Sequence, residues 1–284
     1  MIEPPLVSPG TLTDAYRLMS EAAYRPISGG TDVLVALSGR LGAPPERLLD
    51  LWRLDELRGI ALDGDALVFG ALTTYTEIRR SAVCHDLLPA LVEAAATIGA
   101  AQIQNRGTLG GNIANASPAG DMLPVLLATD ATIIAGSVRG ERTIPAASFW
   151  TGYRQTALAG DEIVVRIRIP LVADRQVRFR KIGTRRAQAI SKVVIALSWV
   201  SAGPAEPWRS VRLGLGSVAE RPIRATATEA FLESRLPTTD TANTASVRVA
   251  AEIEPINDVR STADYRRAVT GRVLYRLIRE AGDW

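Results

Sequence analysis

One cysteine, Cys84, and one histidine, His85, are the only soft metal-ligating candidates of their types in 284 residues. A lone cysteine excludes an intrachain disulfide, and the pair cannot assemble a zinc site or an iron–sulfur cluster within this chain, so no metal site is expected in it. A histidine-based catalytic triad would have to use His85, which sits in RRSAVCHDLLPAL at a helix approach, near an N-terminus and without a partner motif. A structural role is expected for it. No apolar run reaches the roughly 18 residues of a membrane span, so no membrane insertion is expected. The N-terminal MIEPPLVSPGT lacks the basic and apolar regions of a signal peptide, which points to a cytoplasmic protein. Lysine is nearly missing too: Lys181 and Lys192 stand against 31 arginines. The net charge is only +3 and the basic residues are scattered, which leaves no nucleic-acid footprint.

What is present is an ordinary folded composition, 47% hydrophobic and 22% charged, in a chain long enough for two domains. TLTDAYRLMSEAA reads as a helix: Thr11 and Asp14 have capping-box spacing, and Leu12, Ala15, Leu18 and Met19 share a face. RLLDLWRLDELRGIAL and DALVFGALTTYTEI read as short strands, LLPALVEAAATIGA as a helix, and ATIIAGSVRGERTIPA as a hairpin through Arg139 and Gly140. EIVVRIRIP alternates, which places Ile163, Val165, Ile167 and Ile169 on one face of a half-buried strand and Arg166 and Arg168 on the other. Beyond about residue 173 the texture changes. Two strand-rich stretches are followed by the helices ATATEAFLESRL and TADYRRAVTGRVLYRLIREAG, with PTTDTANTAS between them read as a turn or loop. Domains are expected over 1–172 and 173–284.

Glycine and hydroxyl residues concentrate in two places, SGGTD at 28–32 and RGTLGGN at 106–112. Backbone N–H groups in such turns form concavities that attract anions. Neither stretch matches G-x-G-x-x-G, and the phosphate loop G-x-x-x-x-G-K-S/T is absent, so a Rossmann dehydrogenase or P-loop nucleotidase is not supported. Between Gly107 and Gly120 stand four glycines, three alanines, two hydroxyl residues and two asparagines, ahead of Asp121 and the apolar MLPVLLATDA. Small residues let a backbone come close to a ligand. Asp121 could cap a helix beginning at Met122; facing a nucleotide, its carboxylate would accept from sugar or ribityl hydroxyls rather than sit beside phosphates.

PISGGTDVLVAL together with NRGTLGGNIANASPAGDMLPVLLATDA resembles the flavin-binding subunit of the molybdenum hydroxylases, the family of xanthine, carbon monoxide, aldehyde and N-heterocycle dehydrogenases. The resemblance continues through FWTGYRQTALAGDEIVVRIRIP, FRKIGTRRAQAISKV, GLGSVAERPIRATATEAFL and DVRSTADYRRAVTGRVL, in order and over nearly the whole chain. It implies an α+β fold: a PCMH-type FAD-binding domain of two α/β subdomains, followed by a smaller α+β domain of the CO dehydrogenase flavoprotein C-terminal type. It also implies that Pro26, Ile27, Ser28, Gly29, Gly30, Thr31, Asp32 and Val33 close on the FAD diphosphate from one side. Gly107, Thr108, Gly110, Gly111 and Asn112 would close on it from the other. Ser117 belongs to the same motif, Asp121 falls on the family's acidic position, Ile98 on an apolar contact and Leu158 on a flavin-facing leucine. Lys181 falls on the lysine near the isoalloxazine, the one residue to which a catalytic role is given.

The resemblance further implies partners: a large subunit with the molybdenum cofactor and a small one with [2Fe-2S] clusters, paired into a dimer of heterotrimers. This chain would pass electrons through FAD to NAD or another acceptor. Two departures bear on it. The single cysteine rules out the extra iron–sulfur cluster of some relatives, and His85 lies outside any covalent-flavin motif, so FAD is expected to be non-covalent. RRAQAISKV and the 149–170 stretch are closest to the xanthine dehydrogenase type; a carbon monoxide, aldehyde or N-heterocycle dehydrogenase subunit is the alternative. A stand-alone flavin oxidoreductase with the same FAD fold is a further reading, but the short C-terminal half has no histidine and no paired carboxylates in a motif.

Overall fold

In the computed structural model, which describes residues 4–39, 42–185, 188–203 and 205–284, three sheets of three to five strands and one two-stranded hairpin are formed by the described residues, with helices between the strands. The first is parallel, β1 (Leu6–Val7), β2 (Arg25–Ile27) and β3 (Leu48–Asp50), with β3 central. It is crossed by α1 (Leu12–Glu21) and α2 (Val33–Ser38). Thr11 caps α1 by accepting from the Asp14 N–H, and Ala15 and Met19 are buried, as their spacing predicts.

The second sheet is antiparallel, in the order β4 (Ile60–Asp63), β5 (Ala66–Gly70), β10 (Ile163–Pro170), β6 (Thr132–Ser137), β7 (Gly140–Pro145). β6 and β7 form the expected hairpin. Between β5 and β6 come six short helices: α3 (Tyr75–Arg80), α4 (Ala82–Leu87), α5 (Pro89–Ala96), α6 (Ala101–Gln104), α7 (Leu109–Asn115) and α8 (Leu123–Ala128). After β7, α9 (Ala146–Phe149) leads to the small hairpin β8 (Trp150–Gly152) and β9 (Gln155–Thr156). The C-terminal sheet is antiparallel: β11 (Arg175–Ile182), β12 (Val193–Val200), β13 (Arg209–Gly216) and β14 (Ile223–Arg224). It is followed by α10 (Thr226–Leu232), α11 (Thr239–Ala251) and α12 (Ala263–Gly282).

β12 joins the two halves. Val194 and Ala196 belong to the central core, while Val193, Ile195, Leu197 and Trp199 belong to the C-terminal one. A strand buried on both faces reads as a continuous apolar run, and VVIALSWV does. On the central side the Ser198 hydroxyl donates to the carbonyl of Ala128 at the end of α8. Asp130, just beyond, accepts at 2.9 Å from Arg212 and at 3.3 Å from Arg224 of the C-terminal sheet.

Four expectations are corrected. The end of DALVFGALTTYTEI is not strand: Thr74 and Glu77 make a reciprocal capping box that starts α3. PTTDTANTAS is not a loop but opens α11, capped by Thr238, with Ala242, Ala245 and Val249 buried at helical spacing. The alternation in β10 is broken by a bulge between Val164 and Arg166. Ile163 and Val165 therefore face the core of the first sheet, whereas Val164, Ile167 and Ile169 face the central one. His85 lies in the last turn of α4 rather than near a helix start, and its Nε2 is 2.9 Å from the Arg79 carbonyl oxygen.

Candidate functional site

The two glycine-rich stretches come together. β2 ends at Ile27 and the chain turns through Ser28–Asp32 into α2, with Gly30 in the left-handed region at φ 75°. A Cβ on Gly29 would lie 1.7 Å from the Arg106 carbonyl oxygen, so only glycine lets the two loops touch. The Ser28 and Thr108 hydroxyls meet at 3.0 Å. Thr108 caps α7 by accepting from the Gly111 N–H at 3.0 Å, and a Cβ on Gly111 would come within 2.8 Å of the Thr108 hydroxyl oxygen.

The loops are not equivalent in what they offer a ligand. The N–H groups of Gly29, Gly30, Thr31 and Asp32 have no acceptor among the described residues, a row of donors suited to an anion. In the second stretch most N–H groups are spent within the protein, Leu109 on Thr73, Gly110 on Ala71 and Asn112 on the Thr108 carbonyl, and among the described residues of RGTLGGN that of Thr108 alone has no acceptor. That stretch contributes hydroxyls and a surface without side chains. Asn112 Oδ1 is buried and unpartnered among the described residues.

Two cavities open at the loops. The first, about 350 Å³, is lined by Pro26, Ile27, Ser28, Gly30, Thr31, Asp32, Val33, Thr108, Gly110, Gly111 and Leu158. The second, about 530 Å³, reaches the C-terminal sheet and is lined by Ile98, Asn112, Ser117, Asp121 and Lys181. Thr31, Asp32, Tyr75, Asn115 and Arg154 belong to both, so the cavities are two chambers of one cleft. Of the sequence-predicted residues only Gly29 and Gly107 line neither chamber. Leu158 lines the first chamber and Lys181 the second.

Lys181, on β11, is no surface lysine. Its Nζ donates to Asp121 Oδ2 at 2.6 Å and to the Thr97 carbonyl at 2.9 Å, and both side chains of the ion pair are under a tenth exposed. An ammonium has three protons, so one remains for the chamber. Asp121 does not cap α8, whose cap position is Met122. Its other carboxylate oxygen accepts from the Ser191 hydroxyl. Burial pushes the Asp121 carboxyl up, opposed by the Lys181 ammonium and by the hydroxyls of Ser191 and Thr97.

Sequence reasoning missed Tyr75, Ser191 and Arg154 as site residues. Arg154, at φ 53° in the turn between β8 and β9, donates to Asn115 Oδ1 at 3.0 Å. Ser191 and Arg154 stand inside quoted stretches but carry no spacing signal, and Tyr75 lay in the segment misread as strand. Arg186 and Ala187, in RRAQAISKV, lie outside the described residues.

Both halves of the chain match known families. Residues 2–172 match the family described as FAD binding domain in molybdopterin dehydrogenase, and residues 178–281 match the CO dehydrogenase flavoprotein C-terminal domain. The carbon monoxide dehydrogenase medium chain of Hydrogenophaga pseudoflava is 31% identical, with 96% of this chain and 95% of that one covered. The xanthine dehydrogenase FAD-binding subunit of Escherichia coli O157:H7 is also 31% identical, over 95% and 93%. Among solved structures, carbon monoxide dehydrogenase from Hydrogenophaga pseudoflava superposes with a TM-score of 0.93 at 31% identity, covering 99% of this chain and 98% of that one.

Proposed function

This chain belongs to the family of FAD-binding subunits of molybdopterin dehydrogenases, and we propose from that premise that its two chambers hold one FAD, bound without a covalent link. The ADP half fits the first chamber, with the diphosphate on the N–H groups of Gly29 to Asp32 and beside the Ser28 and Thr108 hydroxyls. The isoalloxazine fits the second, beside Lys181 and Asp121. Leu158, on the wall of the first chamber, would face the flavin from there. FAD supplies the exchange of electrons between one-electron and two-electron carriers, and the protein supplies placement and electrostatics. Held by Asp121 and the Thr97 carbonyl, the Lys181 ammonium would have its third proton to offer a flavin in this chamber and would favour negative charge on it. One observation carries this reading: the unpartnered N–H row and the buried Lys181–Asp121 pair open on one continuous cleft.

The reaction that feeds this flavin belongs to partners. A large subunit with the molybdenum cofactor would oxidise the substrate, and a small one with [2Fe-2S] clusters would deliver the electrons that this chain hands to NAD or another acceptor. RRAQAISKV and the 149–170 stretch favour the xanthine dehydrogenase type, while equal identity to a carbon monoxide and a xanthine relative leaves overall similarity neutral on substrate. Native mass analysis of the protein from its source tests the assignment. The expected result is this chain with two other chain types, one of them large, assembled as a dimer of heterotrimers and holding all the molybdenum and iron. A lone chain with full substrate-oxidising activity would overturn it.

A further inference from the structure

We propose that Tyr75 is a cofactor contact at the waist between the chambers, its hydroxyl donating a hydrogen bond to the ribityl segment that joins ring to diphosphate. The proposal rests on the FAD reading. Tyr75 opens α3, and its backbone is tied to the second glycine-rich loop: Thr74 bridges to Thr108, and the Tyr75 N–H donates to the Gly107 carbonyl at 3.2 Å. A Cβ on Gly107 would lie 2.6 Å from Tyr75 Cε2. Gly107 lines neither chamber, so its lack of a side chain serves to admit this ring.

The ring is only 4% exposed, yet Tyr75 lines both chambers. A buried phenol ordinarily finds a partner for its hydroxyl. Burial above all, and then the Asp32 and Asp121 carboxylates, push its pKa up, while the Asn112 side chain hydrogen-bonds the phenol and acts the other way. The hydroxyl therefore stays protonated across the working range. Asn112 Oδ1 is buried and unpartnered among the described residues, so it does not take the hydroxyl proton, which is left for a ligand in the cleft. Tyr75 lines both chambers, so a chain of hydroxyls linking a ring in one to a diphosphate in the other would pass beside it. Phenylalanine would fill the same space against Gly107, so packing alone does not call for the oxygen.

Tyr75→Phe in the full chain tests this with FAD and FMN titrated by flavin fluorescence and ADP measured by competition with FAD. Loss of one neutral hydrogen bond should weaken FAD and FMN about three- to tenfold while ADP binds as to the wild type. The apoprotein melting temperature should not move. Unchanged FAD affinity overturns the proposal. So does a loss shared equally by ADP, or a fall in apoprotein melting temperature that accounts for the loss. Wild-type protein that binds no FAD at all would instead sink the functional reading itself, before the variant is compared.

Discussion

At the scale of single residues, the Lys181–Asp121 pair is where charge is held out of water. Removing one partner of a buried pair strands the other, at a cost of about 3–5 kcal/mol. Lys181→Met should therefore lower the melting temperature sharply, and adding Asp121→Asn should recover most of the loss, read by thermal unfolding. If the single variant melts like the wild type, the pair is not buried as described. In the double variant, FAD binding should persist with a lowered flavin potential, because the donor at the ring edge is gone. Gly29 has a different task. With 1.7 Å between a Cβ and the Arg106 carbonyl oxygen, Gly29→Ala must part the two loops, and FAD affinity should fall at least about tenfold, as for a loss of geometry across several hydrogen bonds. Equilibrium dialysis against FAD checks it, and affinity equal to wild type would contradict the loop contact.

Elements show what could be read from residues and what could not. The two glycine-rich stretches, the β6–β7 hairpin and α1 were legible because turn chemistry, alternation and capping are local signals. The face assignment along β10 was not, because a bulge is set by the partner strand, and one extra residue sends Ile163 and Val165 to a different core from Ile167. α11 was hidden by a threonine-rich start whose helix-breaking tendency is overridden by the packing of Ala242, Ala245 and Val249. In the site, Asp121 and Lys181 each stood out in the sequence as candidates, but their pairing did not, since 60 residues separate them. The loop before α12 carries a pH-dependent staple made by residues close in sequence. Asp258 accepts from the N–H groups of Arg260 and Ser261 and from Arg266. Burial acts to raise its pKa, but these contacts bring it from 3.8 down to about 2. A depressed carboxylate contributes stability that is complete above its unfolded pKa and is lost as pH falls through the folded value. Melting temperatures measured across that acid window should fall less steeply for Asp258→Asn than for wild type; parallel curves would contradict the staple.

On the scale of the whole molecule, the cleft exists because two sheets are locked together. β12 gives one face to each core, and Asp130 binds arginines across the junction, so the second chamber has walls from both halves. A ligand spanning both chambers should stabilise the assembly by mass action, and added FAD should raise the melting temperature of the apoprotein in a concentration-dependent way. The most direct measurement is the flavin content of the purified full chain, by visible absorbance and by acid release. The expected result is a yellow protein with close to one FAD per chain, all of it released into the acid supernatant. A colourless protein that takes up no FAD on reconstitution would contradict the account.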